Sequence, residues 1–196
     1  MTFQSVSRET LISLHFPTKE AQIRQYAQFL ESAGIERGLI GPREGKRIWE
    51  RHIFNSLPVT SLIPPQASVI DIGSGAGLPG IPIALARPDL NVTLIEPLQR
   101  RVDFLIEATQ EMEITVLRAR AQDVTVKADI VTARAVAPLE KLKEMSWHLL
   151  KKGGTLLAIK GESAAEEASR VAGAQVFEIK PEGLPVGWVI SLQKTG

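Results

Sequence analysis

Hydrophobic and polar residues alternate in two different ways along this chain, with the change near Leu62-Ile63-Pro64-Pro65. Before it, apolar residues recur at helical spacing, which predicts helices over residues 5–15 and 18–33. A third helix is predicted to open after Gly41-Pro42 and to run to about residue 56. After Pro65, short runs rich in valine and isoleucine alternate with helical patterns, which is typical of an α/β domain.

The alternating part predicts a parallel sheet with right-handed crossovers. The predicted strands cover residues 68–72, 92–96, 114–117, 129–132, 155–160, 175–179 and 188–192. The predicted helices between them cover residues 79–86, 99–111, 139–150 and 164–172. The last two strands are separated by residues 180–187 only, which is too short for a crossover helix, so we expect an antiparallel hairpin.

These patterns predict one compact unit with two parts. Residues 1–62 form a helical region packed on the core, and residues 63–196 form a doubly wound, Rossmann-like, mostly parallel seven-stranded α/β domain. By analogy, a parallel sheet that ends in an antiparallel hairpin is the architecture of class I S-adenosylmethionine-dependent methyltransferases.

A glycine-rich turn follows the first predicted strand and reads Asp71-Ile72-Gly73-Ser74-Gly75-Ala76-Gly77. Glycines at such a turn let the backbone bend tightly and let a ligand approach where a Cβ atom would clash. The continuation to Gly80 also satisfies the dinucleotide pattern G-x-G-x-x-G, and Glu96 stands where an acidic partner of the ribose is expected. The turn alone therefore fits either a nicotinamide dinucleotide or S-adenosylmethionine.

Three features favour S-adenosylmethionine. Asp71 precedes the first glycine by two residues, where a carboxylate meets the methionine ammonium directly or through water but would repel a pyrophosphate. Ala121-Gln122-Asp123 follow the third strand, where methyltransferases usually hold the adenine. The run Leu149-Leu150-Lys151-Lys152-Gly153-Gly154 resembles the turn before the fifth methyltransferase strand.

Composition narrows the class of protein without naming a substrate. The chain has no cysteine, which excludes disulfides, thiolate-bound metals and a cysteine nucleophile, and we expect no metal site. Its 23 lysines and arginines against 22 acidic residues mean that a nucleic-acid binder must gather positive charge locally. No apolar run reaches the roughly 20 residues of a membrane span. Residues 1–5 lack the features of a signal peptide, so we expect a cytoplasmic protein.

Two longer motifs carry a family resemblance. The run His52-Ile53-Phe54-Asn55-Ser56-Leu57, followed by residues 71–82 with the extension Leu78-Pro79-Gly80-Ile81-Pro82, strongly resembles the RsmG family, also called GidB. Other matching stretches are Leu94-Ile95-Glu96-Pro97, Arg100-Arg101-Val102-Asp103-Phe104-Leu105, Thr132-Ala133-Arg134-Ala135-Val136-Ala137 and Ile159-Lys160-Gly161. The resemblance extends over residues 36–161 and implies a bacterial methyltransferase that modifies N7 of a guanine in the 530 loop of 16S rRNA.

The resemblance also implies cofactor contacts, at Gly73, Leu78, Ala121, Gln122 and Arg134. The turn and its surroundings add Asp71, Gly75 and Glu96 as candidates. The chain departs from many members at Asn55, where they carry aspartate, and at Arg100, where they carry lysine. It also lacks the Asn-Leu-Thr segment that is common near the family's N-terminus.

Methylation of guanine N7 needs no general base, because that nitrogen carries a lone pair and no proton. We therefore nominate no catalytic acid or base and expect catalysis by positioning. A phosphate-rich substrate needs cations at the mouth of the site. The candidates follow predicted strands whose ends share one sheet edge, and they are Arg100, Arg101, Arg120 and Lys160.

The expected partner is 16S rRNA or the small ribosomal subunit, bound by a monomer, with no DNA and no membrane involved. Two alternatives stay open: a class I methyltransferase for another RNA site, a protein or a small molecule, and a nicotinamide-dependent oxidoreductase. We expect His52 to serve in packing or hydrogen bonding and not in RNA contact.

Overall fold

The computed structural model describes residues 6–195. The predicted start of the first helix at Ser5, the inference from residues 1–5 and the last residue of the predicted second part lie outside this range. The N-terminal helices are α1 (Arg8–His15) and α2 (Glu20–Phe29), which continues as a π-helical turn at Leu30–Gly34. Their positions agree with the first two predicted helices.

The third predicted helix is wrong as a continuous element. The chain instead forms short 3-10 turns at Gly45–Arg47, Phe54–Ser56 and Pro58–Leu62 and a π-helical turn at Trp49–Ile53. Gly45 lies inside the predicted span, and glycine disfavours a regular helix by about 1 kcal/mol relative to alanine. These π-helical and 3-10 turns still bury Trp49 and Ile53 against the rest of the protein.

The alternating part forms the predicted strands and helices. The strands are β1 (Ser68–Ile72), β2 (Asn91–Glu96), β3 (Ile114–Arg118), β4 (Ala128–Arg134), β5 (Leu150–Lys160), β6 (Gln175–Ile179) and β7 (Gly187–Gln193). The helices are α3 (Gly80–Ala86), α4 (Gln99–Ala108), α5 (Leu139–Ser146) and α6 (Ala164–Ala168). The fifth predicted strand began too late, because β5 already pairs with β4 at Leu150.

All seven strands belong to one sheet with the order β3-β2-β1-β4-β5-β7-β6. The pairs among β1 to β5 are parallel, whereas β7 runs antiparallel to both β5 and β6. The predicted doubly wound α/β sheet with a terminal antiparallel hairpin is therefore confirmed.

Apolar side chains cover both faces of the sheet. On one face, α1 to α4 and the turns before β1 pack in a single cluster that joins Ile23, Leu30 and Ile53 to Ile81 and Leu94. On the other face, α5 and α6 pack on alternate residues of the same strands, such as Ile70 and Ile72. The helical region before residue 63 thus shares a core with the sheet, which brings it close to the glycine-rich turn. None of the helices within residues 6–195 is both long and apolar enough to cross a membrane.

Candidate functional site

The glycine-rich turn leaves the carboxyl end of β1 and leads into α3. Its start is fixed because the Gly73 and Ser74 amides both donate to the Ile95 carbonyl of β2, at 2.8 and 3.2 Å. Gly73 has a φ of +65°, and a Cβ atom there would lie 2.9 Å from Cγ2 of Val136. Only glycine meets both requirements without moving a neighbour, since it tolerates positive φ and has no side chain.

Asp71 lies beneath this turn and is fully buried. Its Oδ2 accepts a hydrogen bond from the Gly80 amide at 3.3 Å, and its Oδ1 accepts one from the Thr132 hydroxyl at 3.1 Å. Burial raises the pKa of this carboxyl from its ordinary 3.8 to about 6, although these hydrogen bonds and the nearby Arg134 oppose the rise. The contacts described here lie within the protein, so direct contact with a ligand ammonium stays a prediction.

The raised pKa of Asp71 makes the stability of the fold depend on pH. The folded protein holds the proton more tightly than the unfolded chain, so this group's favourable contribution is complete below pH 3.8 and is lost as the pH rises through about 6. The shift corresponds to about 3 kcal/mol in the free energy of unfolding. We expect Asp71→Asn to gain stability relative to the wild type as the pH rises from 4 to 7.5. Urea unfolding of both proteins across this range checks it, and a pH-independent difference would contradict it.

Glu96 ties the end of β2 to the turn. Its side chain is 1 % exposed, its Oε2 accepts from the Gly75 amide and its Oε1 from the Leu98 amide, both at 3.0 Å. Arg101 stands 3.5 Å from Oε2, so its charge is partly offset. Each carboxylate oxygen can accept a second hydrogen bond, which keeps the predicted ribose contact chemically feasible.

A cavity of about 340 Å³ opens beside the turn, at the carboxyl edge of the sheet. Its walls are mostly apolar and are formed by Ile72, Gly73, Ile95, Pro97, Ala119, Arg120, Ala121, Gln122, Val136 and Met145. The predicted cofactor residues Gly73, Ala121 and Gln122 therefore meet in one place. A cavity of this size, with apolar walls and a few polar groups, is typical of a small-molecule site and fits the flat, apolar faces of an adenine nucleoside.

Six lining residues were not predicted as site residues, namely Ile72, Ile95, Pro97, Ala119, Val136 and Met145. Val136 follows β4 within a matching motif, but nothing in the sequence indicated that its side chain faces the turn. Met145 comes from α5, and its helical spacing from Leu142 indicated only a residue that faces the sheet. Contacts between elements so distant in sequence depend on the packing of α5 and could not be derived from one sequence.

Five of the eight predicted cofactor residues lie outside the lining of this cavity, namely Asp71, Gly75, Leu78, Glu96 and Arg134. Arg134 ends β4 and directs its guanidinium toward the N-terminal region, where Nη2 lies 3.4 Å from Nδ1 of His52. Burial lowers the pKa of Arg134, while the nearby Tyr26 and Asp71 oppose that shift. Tyr26 in turn donates its hydroxyl proton to the Ala76 carbonyl at 2.8 Å, which anchors the turn to α2.

The four predicted RNA-binding cations differ in their exposure and in their pairing with acidic residues of the protein. Arg100 and Arg120 are exposed, whereas Arg101 faces Glu96. Lys160 departs from the expectation: it is only 13 % exposed, and its ammonium donates to the Ala137 carbonyl and pairs with Glu167, both at 2.8 Å. An ammonium held this way braces the loop after β4, so its position does not support an RNA contact.

Comparison with known proteins adds a decisive observation. Residues 19–182 match the family described as rRNA small subunit methyltransferase G, or GidB. The chain belongs to the GidB family. Among its relatives, a protein named ribosomal RNA small subunit methyltransferase G from Mycolicibacterium gilvum is 52% identical over 170 residues, which cover 81% of this chain and 75% of that protein. One of the same name from Corynebacterium jeikeium is 55% identical over 154 residues, covering 75% of this chain and 69% of that protein.

Solved structures confirm the fold of this GidB member. A predicted O-methyltransferase from Agrobacterium tumefaciens matches 72% of this chain and 81% of its own with a TM-score of 0.57 and 20% identity. The 16S rRNA N2 G1207 methyltransferase of T. thermophilus, solved with AdoMet and guanosine, matches 74% of this chain and 43% of its own with a TM-score of 0.56 and 14% identity. The fold is thus that of class I methyltransferases.

Proposed function

We propose that this chain transfers a methyl group from S-adenosylmethionine to N7 of a guanine in the 530 loop of 16S rRNA. The observation that carries the proposal is the cavity beside the glycine-rich turn in a GidB family member. Curated relatives at 52–55% identity bear the name ribosomal RNA small subunit methyltransferase G. This substrate would place the reaction in the cytoplasm, on naked rRNA or a small-subunit particle.

The residues around the cavity suit the adenosine part of S-adenosylmethionine. Gln122 offers a side-chain amide that hydrogen-bonds an adenine edge, and Ile95, Pro97 and Met145 offer apolar contact to its faces. Glu96 lies at the end of β2 with acceptor positions for ribose hydroxyls. Asp71 and Arg134 lie next to the turn and would fix its shape around the methionine part.

The chemistry asks the protein for positioning and not for proton transfer. When bound, S-adenosylmethionine supplies a methyl group on a sulfonium that is already electrophilic. No residue has to remove a proton from guanine N7, since its lone pair is free to attack. Holding the base and the donor in the reacting geometry lowers the activation barrier by about 7–11 kcal/mol. The turn and the cavity walls would hold the donor in this geometry.

RNA would approach along the carboxyl edge of the sheet, where Arg120 lines the cavity mouth and Arg100 opens α4. Both guanidinium groups are exposed and are suited to phosphate contacts that position the strand. Arg101 and Lys160 pair with acidic residues of the protein, so they are less available for phosphate contacts.

The proposal is tested by the transfer of a labelled methyl group. Purified protein is incubated with methyl-labelled S-adenosylmethionine and, in parallel, with 16S rRNA, 23S rRNA, small subunits or a protein extract. We expect label in the 16S rRNA or small-subunit sample alone. Label only in protein or in small molecules would overturn the substrate. Tight binding of NAD without binding of S-adenosylhomocysteine would overturn the cofactor.

Arg100→Ala should impair RNA methylation while leaving S-adenosylhomocysteine affinity nearly normal. Loss of one phosphate contact should weaken RNA binding and lower the slope of log affinity against log salt by about 1. Titrations of a 16S rRNA fragment at several salt concentrations measure this slope. Lys127→Ala is a matched control, because this exposed cation directly precedes β4 at the opposite edge of the sheet. Equal slopes for wild type and Arg100→Ala would contradict the assignment.

A further inference from the structure

Two side chains of the N-terminal region, Glu44 and His52, form a hydrogen-bonded series that ends at the distant Arg134. Nε2 of His52 lies 3.0 Å from Oε2 of Glu44, and Nδ1 of the same ring lies 3.4 Å from Nη2 of Arg134. His52 and Glu44 are 19 % and 25 % exposed, so this series is largely shielded from water. Both belong to the N-terminal region, whereas Arg134 ends the central strand β4.

The donors and acceptors around His52 determine which nitrogen of its imidazole ring carries the proton. A guanidinium group can only donate, so Nδ1 of His52 must accept from Arg134. The ring proton then resides on Nε2 and is donated to the Glu44 carboxylate. Burial and the charge of Arg134 lower the pKa of His52, against the opposing effect of Glu44, and this favours the neutral ring that the geometry requires. Arg51, the other charged group facing His52, pairs with the second oxygen of Glu44 at 3.1 Å.

Arg134, the last residue of this hydrogen-bonded series, is close in sequence to the candidate cofactor site. Arg134 is followed by Ala135, which has a φ of +54°, and by Val136, which lines the cavity. The backbone therefore changes direction between the guanidinium group and the cavity wall. The Asp71 carboxylate opposes the lowering of the Arg134 pKa, and Asp71 itself accepts a hydrogen bond from the Gly80 amide just after the glycine-rich turn.

We propose that His52 is a positioning residue that holds the Arg134 guanidinium in place beside the glycine-rich turn, with Glu44 fixing the orientation and tautomer of the ring. The N-terminal region then contributes positioning residues to the cofactor site in addition to packing on the sheet. This inference rests on the proposed function, because it gives Arg134 a part in binding S-adenosylmethionine.

Two conservative substitutions separate the two contacts of the ring. Asparagine at position 52 places an amide oxygen near the position of Nδ1 and keeps an acceptor for Arg134, but it does not reach Glu44. Glutamine places its amide nitrogen near the position of Nε2 and keeps the donor to Glu44. We expect His52→Ala to weaken S-adenosylhomocysteine binding about tenfold, the typical effect of losing a hydrogen bond to a charged group. His52→Asn should retain more affinity than His52→Gln.

A double-mutant cycle tests whether His52 acts through Arg134. S-adenosylhomocysteine affinity is measured by calorimetry for wild type, His52→Ala, Arg134→Ala and the double variant, after circular dichroism has verified that each is folded. We expect His52→Ala to have almost no further effect once Arg134 is absent. His15→Ala is the matched control, because this half-buried histidine is in the same region and its buried Nε2 has no hydrogen-bond partner among the described residues; the affinity of this variant should equal that of the wild type.

The outcomes separate this inference from the proposed function. Additive effects in the cycle, or wild-type affinity in His52→Ala, would overturn the positioning role while leaving the proposed function intact. Higher affinity in His52→Gln than in His52→Asn would also overturn it. A wild-type protein that binds no S-adenosylhomocysteine would overturn both.

Discussion

Gly73→Ala should weaken S-adenosylhomocysteine binding by about 10- to 100-fold and reduce methyl transfer accordingly. The new Cβ atom would lie 2.9 Å from Cγ2 of Val136, and both residues line the candidate cofactor cavity. Either the turn or Val136 has to move, and forcing an extra carbon into a packed site costs about 1–3 kcal/mol. Calorimetric titration of the folded variant measures the loss.

Gly153→Ala separates this effect from the cost of the backbone conformation. Gly73 and Gly153 have φ values of +65° and +78°, but a Cβ atom at Gly153 would meet nothing within 4 Å. Both variants should therefore lose about 1–2 kcal/mol of stability from positive φ, while only Gly73→Ala loses affinity. Equal affinities in the two variants would show that the wall at Gly73 does not contact the ligand.

Arg134→Ala should retain its fold and lose most of its methyl transfer activity. The side chain ends β4 beside the glycine-rich turn, and its guanidinium group is half-buried next to Asp71. Loss of a hydrogen bond to a charged group corresponds to about 10- to 100-fold in affinity. Steady-state rates with 16S rRNA and titrations with S-adenosylhomocysteine check both effects.

Arg134→Lys tests whether charge alone is sufficient. Lysine keeps the positive charge but lacks the planar fork that points several donors in fixed directions. We expect an intermediate loss in this variant. Wild-type activity in Arg134→Ala would refute the role assigned to the residue.

The sequence predicted the sheet well because the relevant signals are local. Runs of valine and isoleucine bounded by turns determine buried parallel strands, and residues 180–187 are too few for a crossover helix. The third predicted helix was wrong for an equally physical reason. The segment from Gly45 to Ser56 has a helical pattern, but it contains a glycine and forms short 3-10 and π-helical turns that bury Trp49.

The sequence indicated which residues follow the strand ends, but it did not indicate their contacts. Gly73, Ala121 and Gln122 line one cavity because parallel strands end at the same edge of a sheet. The partners of Lys160 and Arg101 depend on how α6 and the end of β2 pack, which a strand-end rule does not contain. For the same reason, the contact between His52 and Arg134 became visible only in three dimensions.

The most direct test of the central claim is mass mapping of 16S rRNA after reaction with methyl-labelled S-adenosylmethionine. The substrate is small-subunit RNA from cells that lack this enzyme, and nuclease fragments are compared with and without the protein. We predict one labelled fragment, from the 530 loop, that yields 7-methylguanosine on digestion. Label in a different nucleoside or a different fragment, or no label with protein that binds S-adenosylhomocysteine, would contradict the account.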